Sequence, residues 1–247
     1  MTKKVSAFPV LTFAMLAASL YGQEGPSAAI EASHSEHVAF KPGGTIRLEN
    51  SYGYVTVEGW DEPEVQVTVT KTTDNFYKPA RKQQALQHME RLHVSTETRS
   101  GQEVVISTAA ARGKLLLISW PRPKKRGVTA EYKVLVPRDS RLIIRHDNGY
   151  VWVSDLTGDI NIHSHTGDMI VTLPDAVEYS IDARTRMGSI SSDFVGKGNK
   201  QFLIGSHFAF AGHSPKRRVE LRMGRGCITI LKPPPTGPLW KDPETIQ

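Results

Sequence analysis

Asp147 to Pro174, DNGYVWVSDLTGDINIHSHTGDMIVTLP, holds three short runs of alternating apolar residues separated by turn residues. Val151 and Val153 make the first run, Ile160 and Ile162 the second, Ile170 and Leu173 the third. The turns between them carry Asn148-Gly149, Gly158-Asp159 and Gly167-Asp168. A period of two sets one side of each run against a core and the other toward solvent, as in a half-buried strand. Glycine ahead of each run supplies backbone angles that a residue with a Cβ resists. The stretch therefore reads as rungs of a stacked sheet.

The same grammar recurs outward along the chain. Asn50-Ser-Tyr-Gly53-Tyr-Val-Thr-Val57 matches Asp147-Asn-Gly149-Tyr-Val-Trp-Val153, and weaker copies stand at Gly167, Gly188 and Gly224. Between Gly149 and Gly188 a turn glycine followed by an alternating strand returns roughly every 18–20 residues, a period typical of solenoids. Alternating runs at Gly44–Trp60, Val65–Val69, Leu92–Thr98, Glu103–Ser107, Leu115–Trp120 and Tyr132–Val136 read as further strands. Between them, Ala85, Leu86, Met89 and Leu92 fall at helical spacing, so a helix over Lys78 to Leu92 is expected to cover an edge of the sheet. The fold expected is all-β: a solenoid-like (β-helix or β-roll) stacked sheet with one inserted covering helix.

The ends of the chain read differently. Met1 to Gly22 has the layout of a secretory signal: Lys3 and Lys4, an uncharged apolar run from Val5 to Leu20, then small residues. That run, broken by Pro9, is short for a membrane span, so no stable span is expected in the mature chain. No cysteine follows it, as a lipid-anchored export signal would need. Residues 23–36, rich in Gly, Ser, Ala, Glu and His, read as a flexible linker. Residues 37–232 form the β domain, and 233–247 a Pro-rich tail. The protein is expected to be exported to the periplasm, cell surface or medium of a bacterium.

A chain of 247 residues with a formal net charge of +6 is mildly basic. Its charge is too dispersed for a nucleic-acid footprint, and no nucleic-acid partner is expected. The proline-bounded turn Pro121–Gly127 gathers cations but lacks interleaved aromatics. The single cysteine, Cys227, excludes an intramolecular disulfide; it sits within the alternating run Cys227-Ile228-Thr229-Ile230, where a buried inert thiol is expected.

Asn50–Val57, continued by Glu58-Gly59-Trp60-Asp61, and the stretch Leu142-Ile-Ile-Arg-His-Asp-Asn-Gly149, Leu156-Thr-Gly158-Asp-Ile-Asn-Ile, His165-Thr-Gly167-Asp-Met-Ile resemble the bacterial "putative adhesin" domain of unknown function. The resemblance spans roughly Ala39 to Lys232 and rests on turn glycines and strand alternation. It implies a β-solenoid or β-roll, exported and facing the cell envelope, and it carries no catalytic residues to transfer.

Three constellations are candidates for function. Tyr52, Tyr54, Tyr150 and Trp152 flank the equivalent turns of the two best repeats, where rings on a rung surface could stack on sugars or anchor a protein. Packing of those rings under another layer is the alternative. His163 and His165 sit two apart on one strand, a spacing of about 6.5–7 Å that suits one metal ion. His146 from the preceding rung and Asp168 from the next turn are possible further ligands. Asp155, Asp159 and Asp168 group on successive turns, where a glycan-cleaving enzyme would need paired carboxylates. Asp is also favoured at turns for hydrogen-bonding the backbone. No G-x-S-x-G, H-E-x-x-H, phosphate-loop or dinucleotide motif occurs, and no cofactor is called for. The expected role is a non-catalytic envelope scaffold that binds an extracellular protein or glycan. The alternative is a carbohydrate-active β-helix enzyme using the turn acids.

Overall fold

The computed structural model describes residues 30–73, 83, 86–87, 89–90, 92–99, 102–110, 128–175, 177–201 and 205–233. The signal segment, the strand expected over 115–120, the basic turn and the tail from 234 onward lie outside these residues.

Among the described residues, fourteen strands form one open, mixed sheet: β1 (Glu31–Ala39), β2 (Thr45–Trp60), β3 (Glu64–Thr73), β4 (Leu92–Arg99), β5 (Glu103–Ala110), β6 (Val128–Pro137), β7 (Arg141–Ser154), β8 (Ile160–Thr172), β9 (Tyr179–Met187), β10 (Ile190–Ser192), β11 (Lys197–Gln201), β12 (Gly205–Ala211), β13 (Arg217–Arg225) and β14 (Ile228–Leu231). Its middle is parallel, with β2, β7, β8, β13 and β9 side by side. The long strands are used twice. β2 pairs its first half with β5 and its second with β6. β8 gives its first half to β13 and its second to β14, and β14 passes on to β10. Each rung thus has a first arm, a corner and a second arm.

Glycine makes the corner. Gly53, Gly149 and Gly167 stand opposite one another in register, with φ of 92°, 129° and 124°. A Cβ added to Gly149 would land on the carbonyl of Gly53, one on Gly167 on the carbonyl of Gly149, and one on Gly226 on the carbonyl of Gly167. The glycines form a column in which backbone packs on backbone. They also reset the alternation. Before the corner of β7 the inward residues are Leu142, Ile144 and His146; after it they are Val151 and Val153. Both arms bury their apolar inward residues in one cluster, so the core lies between the arms. Burial of each Leu, Ile or Val here is worth about 1.5–3 kcal/mol in transfer free energy. Tyr132 and Tyr179 are buried whole, each hydroxyl hydrogen-bonded: Tyr132 to Thr108 Oγ1 at 2.8 Å, Tyr179 donating to the Leu156 carbonyl at 3.0 Å.

Several expectations need correction. The sheet is open, and a solenoid or β-roll is not shown: β2 and β7 are sheet neighbours although β3 to β6 lie between them in the chain, and β13 inserts between β8 and β9 in the sheet. Most of the covering helix expected over Lys78 to Leu92 lies outside the described residues, and among the described ones it is not seen as an element. Gln83, Leu86, Gln87, Met89 and Glu90 have helical backbone, but Leu92 opens β4, which pairs antiparallel with β5. The linker boundary at 36 is too late, because β1 begins at Glu31 and pairs with β3 along its whole length. Its residues are polar on both faces because it is an edge strand, and that composition reads as linker. On β8 the inward residues after the corner are Met169 and Val171, not Ile170, since Gly167 shifts the phase. Cys227 is exposed rather than buried, because it sits in the corner after Gly226, ahead of the first inward residue Ile228.

Candidate functional site

The outward positions of the second arms carry the aromatic residues. Tyr54 of β2 and Tyr150 of β7 are register partners one step beyond the corner, and Trp152 lies two residues further along β7, opposite Thr56. Val55, Val57, Val151 and Val153 fill the core between them, so alternation sends all three rings to solvent. Tyr54, Tyr150 and Trp152 are 50%, 51% and 52% exposed. The two tyrosine rings stack, with centroids 5.4 Å apart and planes 8° from parallel. The parallel pairing holds equivalent side chains one above another, which is why the rings face. Glu131 stands opposite Tyr54 and Lys133 opposite Thr56, both exposed, so charged and hydrogen-bonding groups border the rings. This is an exposed aromatic platform with a polar rim. Tyr52 is not part of it: it lies before the corner and packs against the core.

His163 and His165 share the outward face of the first arm of β8, ring centroids 6.5 Å apart. His146 points the opposite way. It is 3% exposed inside the core and hydrogen-bonded through Nδ1 to Ser51 Oγ at 2.9 Å, so it cannot join them. Asp168 lies past the corner and accepts a hydrogen bond from the Cys227 N–H at 2.9 Å. Among the described residues no group of three His, Cys, Asp or Glu side chains could hold a metal ion. Partial burial, then the charges of Arg145, His165 and Arg222, hold the His163 imidazole below its ordinary value. A cation meets other cations there.

The turn acids have structural work. Asp159 accepts a hydrogen bond from the Arg218 N–H at 2.9 Å, which ties the start of β8 to β13. Asp168 ties the corner of β8 to that of the next rung. Asp155 sits in left-handed backbone at φ 59°, 3.6 Å from Arg138, whose Nε donates to Asp61 at 2.7 Å.

No family model matches the chain, and no curated protein matches it. Solved structures do. A "putative cell adhesion protein" from Clostridium sporogenes is 13% identical with a TM-score of 0.46, the match covering 82% of this chain and 100% of that one. "Putative adhesins" from Bacteroides fragilis and Parabacteroides distasonis are each 9% identical, with TM-scores of 0.23 and 0.24. They are covered over 97% of their length, by 81% and 82% of this chain respectively. At these scores the likenesses carry no weight for function. Among the described residues no helix is long and apolar enough to cross a membrane.

Proposed function

We propose that this protein is an exported, non-catalytic scaffold that binds a glycan or protein partner at the bacterial envelope through the platform of Tyr54, Tyr150 and Trp152. The observation that carries this reading is the alignment of three half-exposed rings on two adjacent parallel strands, two of them stacked. Large apolar rings left in water on a rigid sheet cost solvation that a partner recovers. A sugar ring offers a flat C–H face to such a platform, and the bordering Glu131 and Lys133 can meet its hydroxyls. The secretory layout of Met1 to Gly22 supports export. The roles of Asp155, Asp159 and Asp168 in backbone hydrogen bonds and an ion pair support a binding function over hydrolysis.

The test is capture of glycans and envelope fractions by the chain from Gln23 onward, set beside Trp152→Ala. Removing an interface tryptophan costs about 2 kcal/mol, or roughly thirtyfold in Kd. Stability should stay within about 0.5 kcal/mol, because the ring is half in solvent. Capture unchanged by the substitution would overturn the platform. Glycan turnover abolished by Asp159→Asn in a still-folded variant would establish an enzyme instead.

A further inference from the structure

A second concave site lies on the outward face of the first arms, away from the platform. Parallel register places Arg145 of β7, His163 of β8, Arg222 of β13 and Arg184 of β9 in one row across the sheet. In the row nearer the corner, Gly224 of β13 lets the His165 backbone carbonyl pack where a Cβ would lie. The face there holds a cavity of about 560 Å³ whose lining includes His163, His165, Arg184, Arg186, Arg222 and Arg225. That volume is in the range of small-molecule sites.

The charges are arranged unevenly. On the far side of the row, Asp182 and Glu220 hold Arg222 at 3.1 and 3.0 Å, and Asp182 also reaches Arg184 and His207 at 3.2 Å. Burial works to raise the Asp182 carboxyl, but the hydrogen bond from Arg222 and the charges of Arg222 and Arg184 outweigh it and leave it below the ordinary carboxylate value. These carboxylates brace Arg222 and Arg184 from one side. Arg186 and Arg225, toward the corner, have no ion pair among the described residues. A solvated face would spread such residues. Here four guanidinium groups and two imidazoles, from three strands, line one hollow.

We propose that this hollow binds a phosphoryl group carried on a small ligand of the size of a phosphosugar. Guanidinium forks match the oxygens of a phosphate ester, and its two negative charges answer the two guanidinium groups left without carboxylates. A carboxylate or a sulfate ester brings one charge and leaves the hollow half-compensated. Neither the platform nor its partner is required for this site.

The test uses the chain from Gln23 onward, titrated calorimetrically with glucose 6-phosphate and inorganic phosphate, with glucose, glucose 6-sulfate and acetate as controls. Phosphatidylcholine vesicles with and without phosphatidic acid form a lipid arm. Glucose 6-phosphate should bind, weaken as salt rises, and lose at least tenfold in Arg186→Gln/Arg225→Gln, while Trp152→Ala binds it unchanged. Co-sedimentation with phosphatidic acid vesicles alone, lost in the same double variant, would support the site and assign the phosphoryl group to a lipid headgroup. Absence of binding in both arms would overturn the proposal. So would equal affinity in the double variant with its melting temperature unchanged, or equal affinity for glucose 6-sulfate or acetate.

Discussion

His146 is the residue at which side-chain chemistry and stability meet most directly. The strand register sets it between Ser51 and Ser164, all three buried. Its Nδ1 has Ser51, but among the described residues its Nε2 and the Ser164 hydroxyl have no hydrogen-bond partner. Burial pushes the imidazole down to about 4, against which the nearby Asp147 charge works only weakly. The unfolded chain binds this proton near the ordinary value of 6.5 and the folded one does not, so the neutral ring is compatible with the fold above that value. Stability is therefore lost as pH falls from about 6.5 to about 4, by about 3 kcal/mol in all. In His146→Gln, urea midpoints between pH 7 and pH 4.5 should fall less steeply than in the unmodified chain. Parallel slopes would show that the ring does not titrate inside the fold.

At the scale of the strand, the corner decides what a substitution costs. Gly149 combines φ of 129° with the carbonyl of Gly53 where a Cβ would lie. Gly149→Ala should destabilise the protein by about 3 kcal/mol or more. Gly198 of β11 would bring a Cβ no nearer than 4.0 Å to the His207 carbonyl oxygen, and Gly198→Ala should leave stability nearly unchanged. Denaturant titration of the pair checks this, and similar midpoints would remove the column's importance. The corners were legible in the sequence, since alternation and turn glycine are local signals. Their effect on phase was not: Ile170 follows the pattern of the earlier runs but faces outward, because Gly167 shifts the alternation by one residue. Lys78 to Leu92 has helical spacing, yet Leu92 belongs to a strand whose partner, β5, lies beyond it in the chain. Trp152 was legible as opposite Val151 and Val153, but only the structure shows it half exposed, with no layer of the described residues over it. The arginines of the hollow had a faint signal, the pair Arg184 and Arg186 two apart on one strand. Arg222 and Arg225 reach them only because β13 returns between β8 and β9.

For the whole molecule, the ends of the parallel stack matter most. Parallel rungs present unpaired backbone to whatever comes next, and here antiparallel strands close the row: β3 and β1 beyond β6, β12 and β11 beyond β9. The edge strand β1 carries Glu31, Ser33, His34, Ser35, Glu36 and His37, polar on both faces. Its side chains meet β3 through Ser33 with Thr70, Ser35 with Thr68 and His37 with Glu64. A chain beginning at Phe40 would expose the edge of β3, with its row Val65, Val67 and Val69. It should associate at concentrations where the longer chain does not. Light scattering during size-exclusion chromatography checks this, and equal masses per protomer for the two chains would show that β3 needs no cover.

The glycine column also sets how a ligand can approach. Because both arms turn their inner residues into one core, their outer faces look away from each other across the crease. The rings lie on the second arms of β2 and β7, and the guanidinium groups on the other side of the crease, over β8, β13 and β9. A flat surface can lie against one of these faces and must leave the other in water. A flexible polymer, with a sugar at one point and a charged substituent some way along, could fold over the ridge and hold both.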